Sequence, residues 1–263
     1  MASTADTAAR ARDLLALHRA EKLLTLVNVW DAISAKVVTD VPGTTALATA
    51  SHSIAASYGY PDGEHIPRDL MVEAVGRVVA ATSLPVTADL EGGYGDAAET
   101  VRRAIGVGVV GANIEDQLKP LPEAARQVEQ IMKAAESEGV PDFVLNARTD
   151  AFHLGRDRDP ADNLAVALER GRAYLDAGAP VVFVPARLGE EQVQTLVEAF
   201  GPQRLSVIAI PGNPSLARLE ELGVARVSFG PLSQNVALTA LAELVEGVNE
   251  RGEGVPRTMR VLN

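Results

Sequence analysis

Eight short apolar runs rich in Val, Ile, Leu and Ala recur along this chain, at 24–29, 45–50, 85–90, 109–115, 143–148, 181–184, 205–210 and 226–229. Between them lie segments with the 3.6-residue apolar period of amphipathic helices, among them 70–81, 97–105, 123–138, 161–177, 190–200 and 214–222, with 236–249 closing the series. Strands that are apolar throughout, rather than on alternate residues, belong to a sheet buried on both faces. Parallel strands also need a crossover element between them, and the helical segments supply it. Eight such units in 263 residues match a (β/α)₈ TIM barrel; an open doubly wound sheet is the alternative. No Pro/Ser-rich linker, repeat or low-complexity stretch divides the chain, so residues 1–263 read as one barrel domain. A short surface helix is expected over 8–20, and the tail 251–263 is expected at the periphery or against a partner subunit.

Composition narrows the function. The chain has no cysteine, which excludes disulfides, a catalytic thiolate and Cys-ligated zinc, and which suits a reducing cytoplasm. A formal net charge of -11 with no basic stripe argues against nucleic acid. An anionic substrate would therefore need local positive charge. No apolar run reaches membrane-spanning length, and 1–22 lacks the continuous apolar core of a signal peptide.

A barrel carries its chemistry at the C-terminal ends of its strands. Those ends read, in order, Trp30 and Asp31; Thr49, Ser51 and His52; Asp89 and Glu91; Glu115 and Asp116; Arg148 and Asp150; Arg187; Asn213; and Gly230. The opposite ends are mostly Pro, Gly and Ala turns. Asp89 and Glu91 stand two apart, so on an extended backbone they face the same way. With Glu115 they would form an oxygen-rich site suited to a hard divalent cation such as Mg²⁺. Helix capping or loop solubility is the competing reading of each acid taken alone. Arg148 can bind a carboxylate bidentately or stabilise a developing oxyanion, or it can neutralise a nearby acid. The segment Ser57-Tyr58-Gly59-Tyr60-Pro61-Asp62-Gly63 is turn chemistry by composition, and a covering loop with Asp62 reaching inward is its functional reading. Gly106-Val107-Gly108-Val109-Val110-Gly111 fits a dinucleotide fingerprint, but it closes a helix and leads into a strand, the reverse of the required context. No histidine spacing fits a zinc site, and no lysine ends a strand, which disfavours a Schiff-base aldolase.

Several motifs, in order, carry a family resemblance. They are Asn28-Val29-Trp30-Asp31-Ala32-Ile33-Ser34-Ala35, Tyr58-Gly59-Tyr60-Pro61-Asp62-Gly63, Asp89-Leu90-Glu91-Gly92-Gly93-Tyr94-Gly95, Ile114-Glu115-Asp116-Gln117, Ala147-Arg148-Thr149-Asp150 and Val227-Ser228-Phe229-Gly230-Pro231. Over 24–248 the chain resembles the isocitrate lyase/phosphoenolpyruvate mutase superfamily. The resemblance implies a modified (β/α)₈ barrel, a homodimer or homotetramer with C-terminal helix exchange between subunits, Mg²⁺ or Mn²⁺, and a small-molecule 2-oxo acid or phosphonate substrate. It implies Asp89 as the direct metal ligand, with Glu91 and Glu115 holding the metal through water. Glu91 stands where many members have aspartate. Asp62 matches an acid near the metal, and Thr49, Ala50 and Ser51 match the segment that cradles the substrate carboxylate. Trp30 joins the substrate-binding set, and Arg148 matches an arginine that contacts substrate.

The departures bear on the reaction. Lyase members carry a Lys-Arg-Cys-Gly-His-Arg-like loop whose thiol serves as acid or base. Here Gln117 leads only into Leu118-Lys119-Pro120-Leu121-Pro122-Glu123. The mutase branch's longer gating loop with its asparagine is also missing. Pro185-Ala186-Arg187 replaces the Glu or His of better-known members, and Arg187 either binds a second substrate carboxylate or makes a surface ion pair. The expected activity is a Mg²⁺-dependent lyase acting on an oxaloacetate-like 2-oxo carboxylate through a metal-stabilised enolate, with C–C cleavage. Oxaloacetate decarboxylation is the simplest case, since loss of CO₂ needs no base. The alternatives are C–P chemistry of the phosphoenolpyruvate or carboxyphosphonoenolpyruvate phosphonomutase type, a barrel that binds a 2-oxo acid without turnover, and an idle structural barrel.

Overall fold

A computed structural model of the chain describes residues 3–252, 254–256, 259, 260 and 262. Residues 253, 257, 258, 261 and 263, on which part of the expectation for the tail rests, lie outside the described residues. The elements follow in chain order: α1 (Thr4–Arg19), β1 (Leu24–Leu26), β2 (Asn28–Val29), α2 (Ala32–Thr39), β3 (Leu47–Thr49), α3 (Ser51–Ser57), α4 (Arg68–Ala80), β4 (Val86–Asp89), α5 (Ala97–Gly106), β5 (Gly111–Glu115), α6 (Leu121–Ser137), β6 (Val144–Arg148), α7 (Pro160–Asp176), β7 (Val181–Val184), α8 (Glu190–Phe200), β8 (Leu205–Ile208), α9 (Leu216–Glu221), β9 (Arg226–Ser228) and α10 (Leu232–Arg251).

Every strand pair is parallel, and the strand order runs β1-β9-β8-β7-β6-β5-β4-β3-β2. β1 pairs with β9 while β2 pairs with β3, so the run read as one strand over 24–29 breaks at Val27 and its halves join opposite edges. That broken strand closes the sheet into a modified (β/α)₈ barrel. Asn28 locks the seam, accepting at Oδ1 from the Phe229 and Gly230 N–H groups and donating through Nδ2 to the Thr49 carbonyl, each at 2.8 Å.

Two short helices, α2 and α3, fall where the sequence reading named none; eight and seven residues are too few to establish a period. Asp31 caps α2, accepting from the Ser34 N–H at 2.7 Å, so this strand-end acid has the competing role of helix cap. No helix among the described residues is long and apolar enough to cross a membrane.

The helix expected over 8–20 is α1, which starts earlier, at Thr4, and turns one face inward, burying Thr7, Ala11, Leu14 and His18. Leu14 reaches the first residue of β5, where a side chain on Gly111 would stand 3.0 Å from its Cδ2. α1 therefore covers the barrel end opposite Glu115. Above it, Arg226 on β9 is fully buried, and none of its three nitrogens has a protein partner among the described residues. Burial lowers its pKa to about 10, against the opposing charge of Asp89.

α10 differs from the other helices. Gln234 ties its first turn to the barrel, donating through Nε2 to the Ser53 carbonyl and Ser57 Oγ at 3.1 Å. Beyond it Val236, Leu238, Leu241, Val245 and Val248 are exposed, Val236 by 72%.

His18 gives this fold a pH signature. Its Nδ1–H donates to the Leu14 carbonyl at 2.8 Å, and burial, with the charge of Arg226, lowers its pKa to about 3. The unfolded chain takes up that proton near pH 6.5, as free imidazole does. Falling pH in between therefore favours unfolding by about 1.4 kcal/mol per pH unit. Urea melts between about pH 6 and pH 4 should show the wild type losing stability relative to His18→Gln with that slope.

Candidate active site

At the C-terminal end of the barrel the strands surround a cavity of about 310 Å³. Asp89, Glu115 and Arg148 are the last residues of β4, β5 and β6. Register sets Asp89 beside Asn113 and Glu115 beside Arg148, so neighbouring strands deliver these side chains to one space. Glu91, Asp62, His52, His153, Asn28, Asn113, Ser51 and Ser228 add to the polar lining, and Phe183, Pro185, Ile208 and Pro231 form an apolar wall.

Each acid is held differently. Asp89 Oδ2 accepts from the Ser51 N–H at 3.1 Å and from its Oγ–H at 2.7 Å. The Asp89 N–H donates to Thr49 Oγ1 at 3.0 Å, and no protein donor among the described residues reaches Asp89 Oδ1. Glu115 Oε2 lies 2.8 Å from Arg148 Nη1. Arg148 also holds Asp150 Oδ1 through Nη2 at 2.7 Å and Nε at 2.8 Å. Burial pushes Glu115 up to about 8; Arg148 opposes this, and the charges of Asp150, Asp89 and Glu91 add to it. Burial likewise raises Glu91.

Behind this wall Asp116 anchors the loops. Its Oδ2 accepts from Tyr174 O–H at 2.5 Å and Arg170 Nε at 2.6 Å, and its Oδ1 from the N–H groups of Leu118 and Asp150 at 2.9 and 3.0 Å. Burial alone would raise the Asp116 pKa; these bonds and the Arg170 charge outweigh it and lower the value.

Glu64, Glu91, Tyr94 and Gln117 meet beside the cavity with φ of 61°, 53°, 55° and 50°. Non-glycine residues in this left-handed region cost on the order of 1–3 kcal/mol each and persist where the surroundings over-determine them. Here they interlock. Tyr94 O–H donates to Glu91 Oε1 at 2.8 Å, the Glu64 N–H donates to Glu91 Oε2, and the Tyr94 N–H donates to Glu64 Oε1 at 2.5 Å. Gln117 Nε2 completes the hub, 3.4 Å from Glu64 Oε2. Gly92 makes room for it, since a Cβ there would lie 2.3 Å from Gln117 Nε2.

A family profile described as phosphoenolpyruvate phosphomutase matches residues 14–249. The chain belongs to that family. The family lies within the isocitrate lyase/phosphoenolpyruvate mutase superfamily, and the chain is an enzyme of that superfamily. A candidate phosphonomutase from Burkholderia cenocepacia J2315 superposes with a TM-score of 0.84 at 41% identity, over 91% of this chain and 98% of that one. The 2,3-dimethylmalate lyase of Eubacterium barkeri is 31% identical over 255 residues, 91% of this chain and 85% of its own. An oxaloacetate decarboxylase of Rhodopseudomonas palustris (strain HaA2) is 30% identical over 207 residues, 76% of this chain and 70% of its own.

Of the residues that the superfamily resemblance singled out, Ser51, Asp62, Asp89, Glu91, Glu115 and Arg148 line the cavity. Thr49 and Ala50 are buried and are not among the lining residues; Thr49 instead supports Asp89 through its hydroxyl. Trp30 and Arg187 are also absent from the lining, and Arg187 is exposed beside Gly212. The sequence reading did not single out Glu64, Asn113 or His153 as site residues. The acids fit a hard divalent cation, being all-oxygen donors with one Asp89 oxygen free of protein donors. No three His, Cys, Asp or Glu groups among the described residues are grouped to hold an ion. Replacing Arg170 by Met strips Asp116 of its buried counter-charge and should lower stability by about 3–5 kcal/mol, read from the urea midpoint.

Proposed function

We propose that this enzyme is a divalent-cation-dependent lyase that cleaves a C–C bond in an oxaloacetate-like 2-oxo carboxylate. The observation that carries the reading is the convergence of Asp89, Glu91, Glu115 and Arg148 on one cavity at the strand ends. Asp89 would hold the cation directly, with Glu115 and Glu91 on its water shell. Bound Mg²⁺, or Mn²⁺, would supply Lewis-acid polarisation of the 2-oxo group.

The protein's own contribution follows from its geometry. Arg148 commits its Nε–H and one N–H on each terminal nitrogen to Glu115 and Asp150, so two of its five N–H groups remain for the oxygen on which negative charge collects. Asp150 and Glu115 also fix the guanidinium plane, so little reorganisation accompanies bond breaking. Phe183, Pro185, Ile208 and Pro231 give the cavity a low-dielectric wall, which strengthens those charge interactions. Loss of CO₂ leaves an enolate that needs only a proton, and His52, His153 and Asp62 border the cavity as candidate donors. A second reading, C–P bond chemistry, draws support from Asp62 on the cavity lining and from the similarity to the candidate phosphonomutase.

Stopped-flow assay of oxaloacetate, 2,3-dimethylmalate and phosphoenolpyruvate with Mg²⁺ tests the proposal. Oxaloacetate should turn over, chelation should abolish activity, and Arg148→Met should lower kcat by about 10²–10³. Tight oxalate binding with no turnover of any substrate would overturn catalysis in favour of plain binding, and turnover of phosphoenolpyruvate alone would favour C–P chemistry.

The same reading places the enzyme in the cytoplasm as a homodimer or homotetramer, with α10 packed on, or exchanged with, a second subunit. The apolar residues that α10 exposes support this, because a patch of that kind marks an interaction surface. Sedimentation should find an oligomer, and Leu241→Glu together with Val245→Glu should shift it to monomer.

A further inference from the structure

We propose that Glu64 is a positioning residue that latches the segment 58–65 across the cavity mouth and so sets where Asp62 stands. The proposal rests on the reading that Asp62 belongs to the active site.

Ten residues separate the end of α3 at Ser57 from the start of α4 at Arg68. The first part of this connection is tied locally, with the Gly59 and Tyr60 N–H groups donating to the Ala56 and Ala55 carbonyls. Residues 61–66, which include the cavity-lining Asp62 and Gly63, make no backbone–backbone hydrogen bond. Something else must place them. Ile66 anchors the far side in the core. Among the described residues the Asp62 carboxylate pairs with His52, at 3.4 Å, with both side chains half exposed, a contact too weak and wet to fix a loop.

Glu64 supplies the remaining tether at both its ends. Its N–H is taken by Glu91, and its carboxylate takes the Tyr94 N–H at 2.5 Å and faces Gln117 Nε2 at 3.4 Å. The Tyr94 O–H returns to Glu91 at 2.8 Å, so Glu64, Tyr94 and Glu91 form a closed ring of three hydrogen bonds joining two loops. The ring also accounts for glutamate at position 91. An aspartate there would be one methylene short of the Glu64 N–H and the Tyr94 phenol. Both Glu91 oxygens are engaged in the latch, so the arm that borders the cavity also fastens its cover.

Two substitutions at one position separate latching from backbone strain. Asn tolerates the left-handed conformation but is too short to reach Tyr94 or Gln117, whereas Gln keeps the reach and one accepting oxygen. Hydrogen exchange on the intact chain should show amides of 58–66 opening about tenfold faster in Glu64→Asn, with Glu64→Gln within about threefold of wild type. Tyr94→Phe, which removes only the phenol's bond to Glu91, should raise exchange of the same segment about threefold. By calorimetry Mg²⁺ alone should bind wild type and Glu64→Asn alike, while oxalate measured with Mg²⁺ should bind Glu64→Asn about tenfold more weakly. Wild-type exchange rates in both Glu64→Asn and Tyr94→Phe, or oxalate affinity unchanged in Glu64→Asn, would overturn the latch. If wild type binds neither Mg²⁺ nor oxalate while the exchange pattern holds, the functional reading falls and the latch stands.

Discussion

Crowding of negative charge at one end of the barrel is the constraint that organises this molecule. Asp89, Glu91, Glu115, Asp116 and Asp150 all come from strand ends or the residues just beyond them, and Glu91, Asp116 and Asp150 are buried. Two arginines make that tolerable. Arg148 divides its guanidinium between Glu115 and Asp150, and Arg170 reaches from α7 to Asp116. The compensation is complete at Asp116, whose carboxyl is held low, and incomplete at Glu115, which stays near 8. A site short of positive charge is prepared to accept more, either as a cation or as a proton.

The barrel was readable because its signal is repetitive. Continuous apolar runs of four to seven residues separated by helix-period segments leave few alternatives once eight are counted, and all eight contribute strands of the parallel sheet. The break at Val27 was not readable, because a strand that passes from one neighbour to another keeps its apolar pattern on both sides of the switch. Within the site, Asp89, Glu115 and Arg148 stood out as polar residues ending apolar runs. Glu64 and His153 carried no such mark, since they sit in loops whose composition looks like ordinary turns. Thr49 illustrates a subtler difference. Its place at a strand end is right, yet its hydroxyl faces the neighbouring strand's Asp89 N–H, a direction that spacing cannot reveal.

Two features run against maximal stability. Arg226 buries a guanidinium with no hydrogen-bond partner among the described residues, and the hub of left-handed residues stores backbone strain next to the cavity. Strain of this kind concentrates where the surrounding fold is rigid enough to impose it. The core beneath, close-packed between the strands, α1 and the outer helices, provides that rigidity.

The packing of the Gln117 amide against Gly92 has a consequence for how this site can vary. Any side chain there must displace the amide of Gln117, which in turn faces Glu64. Residues 92 and 117 therefore cannot drift separately. A lineage that acquires bulk at 92 must trim 117, and in doing so it gives up the amide that faces Glu64.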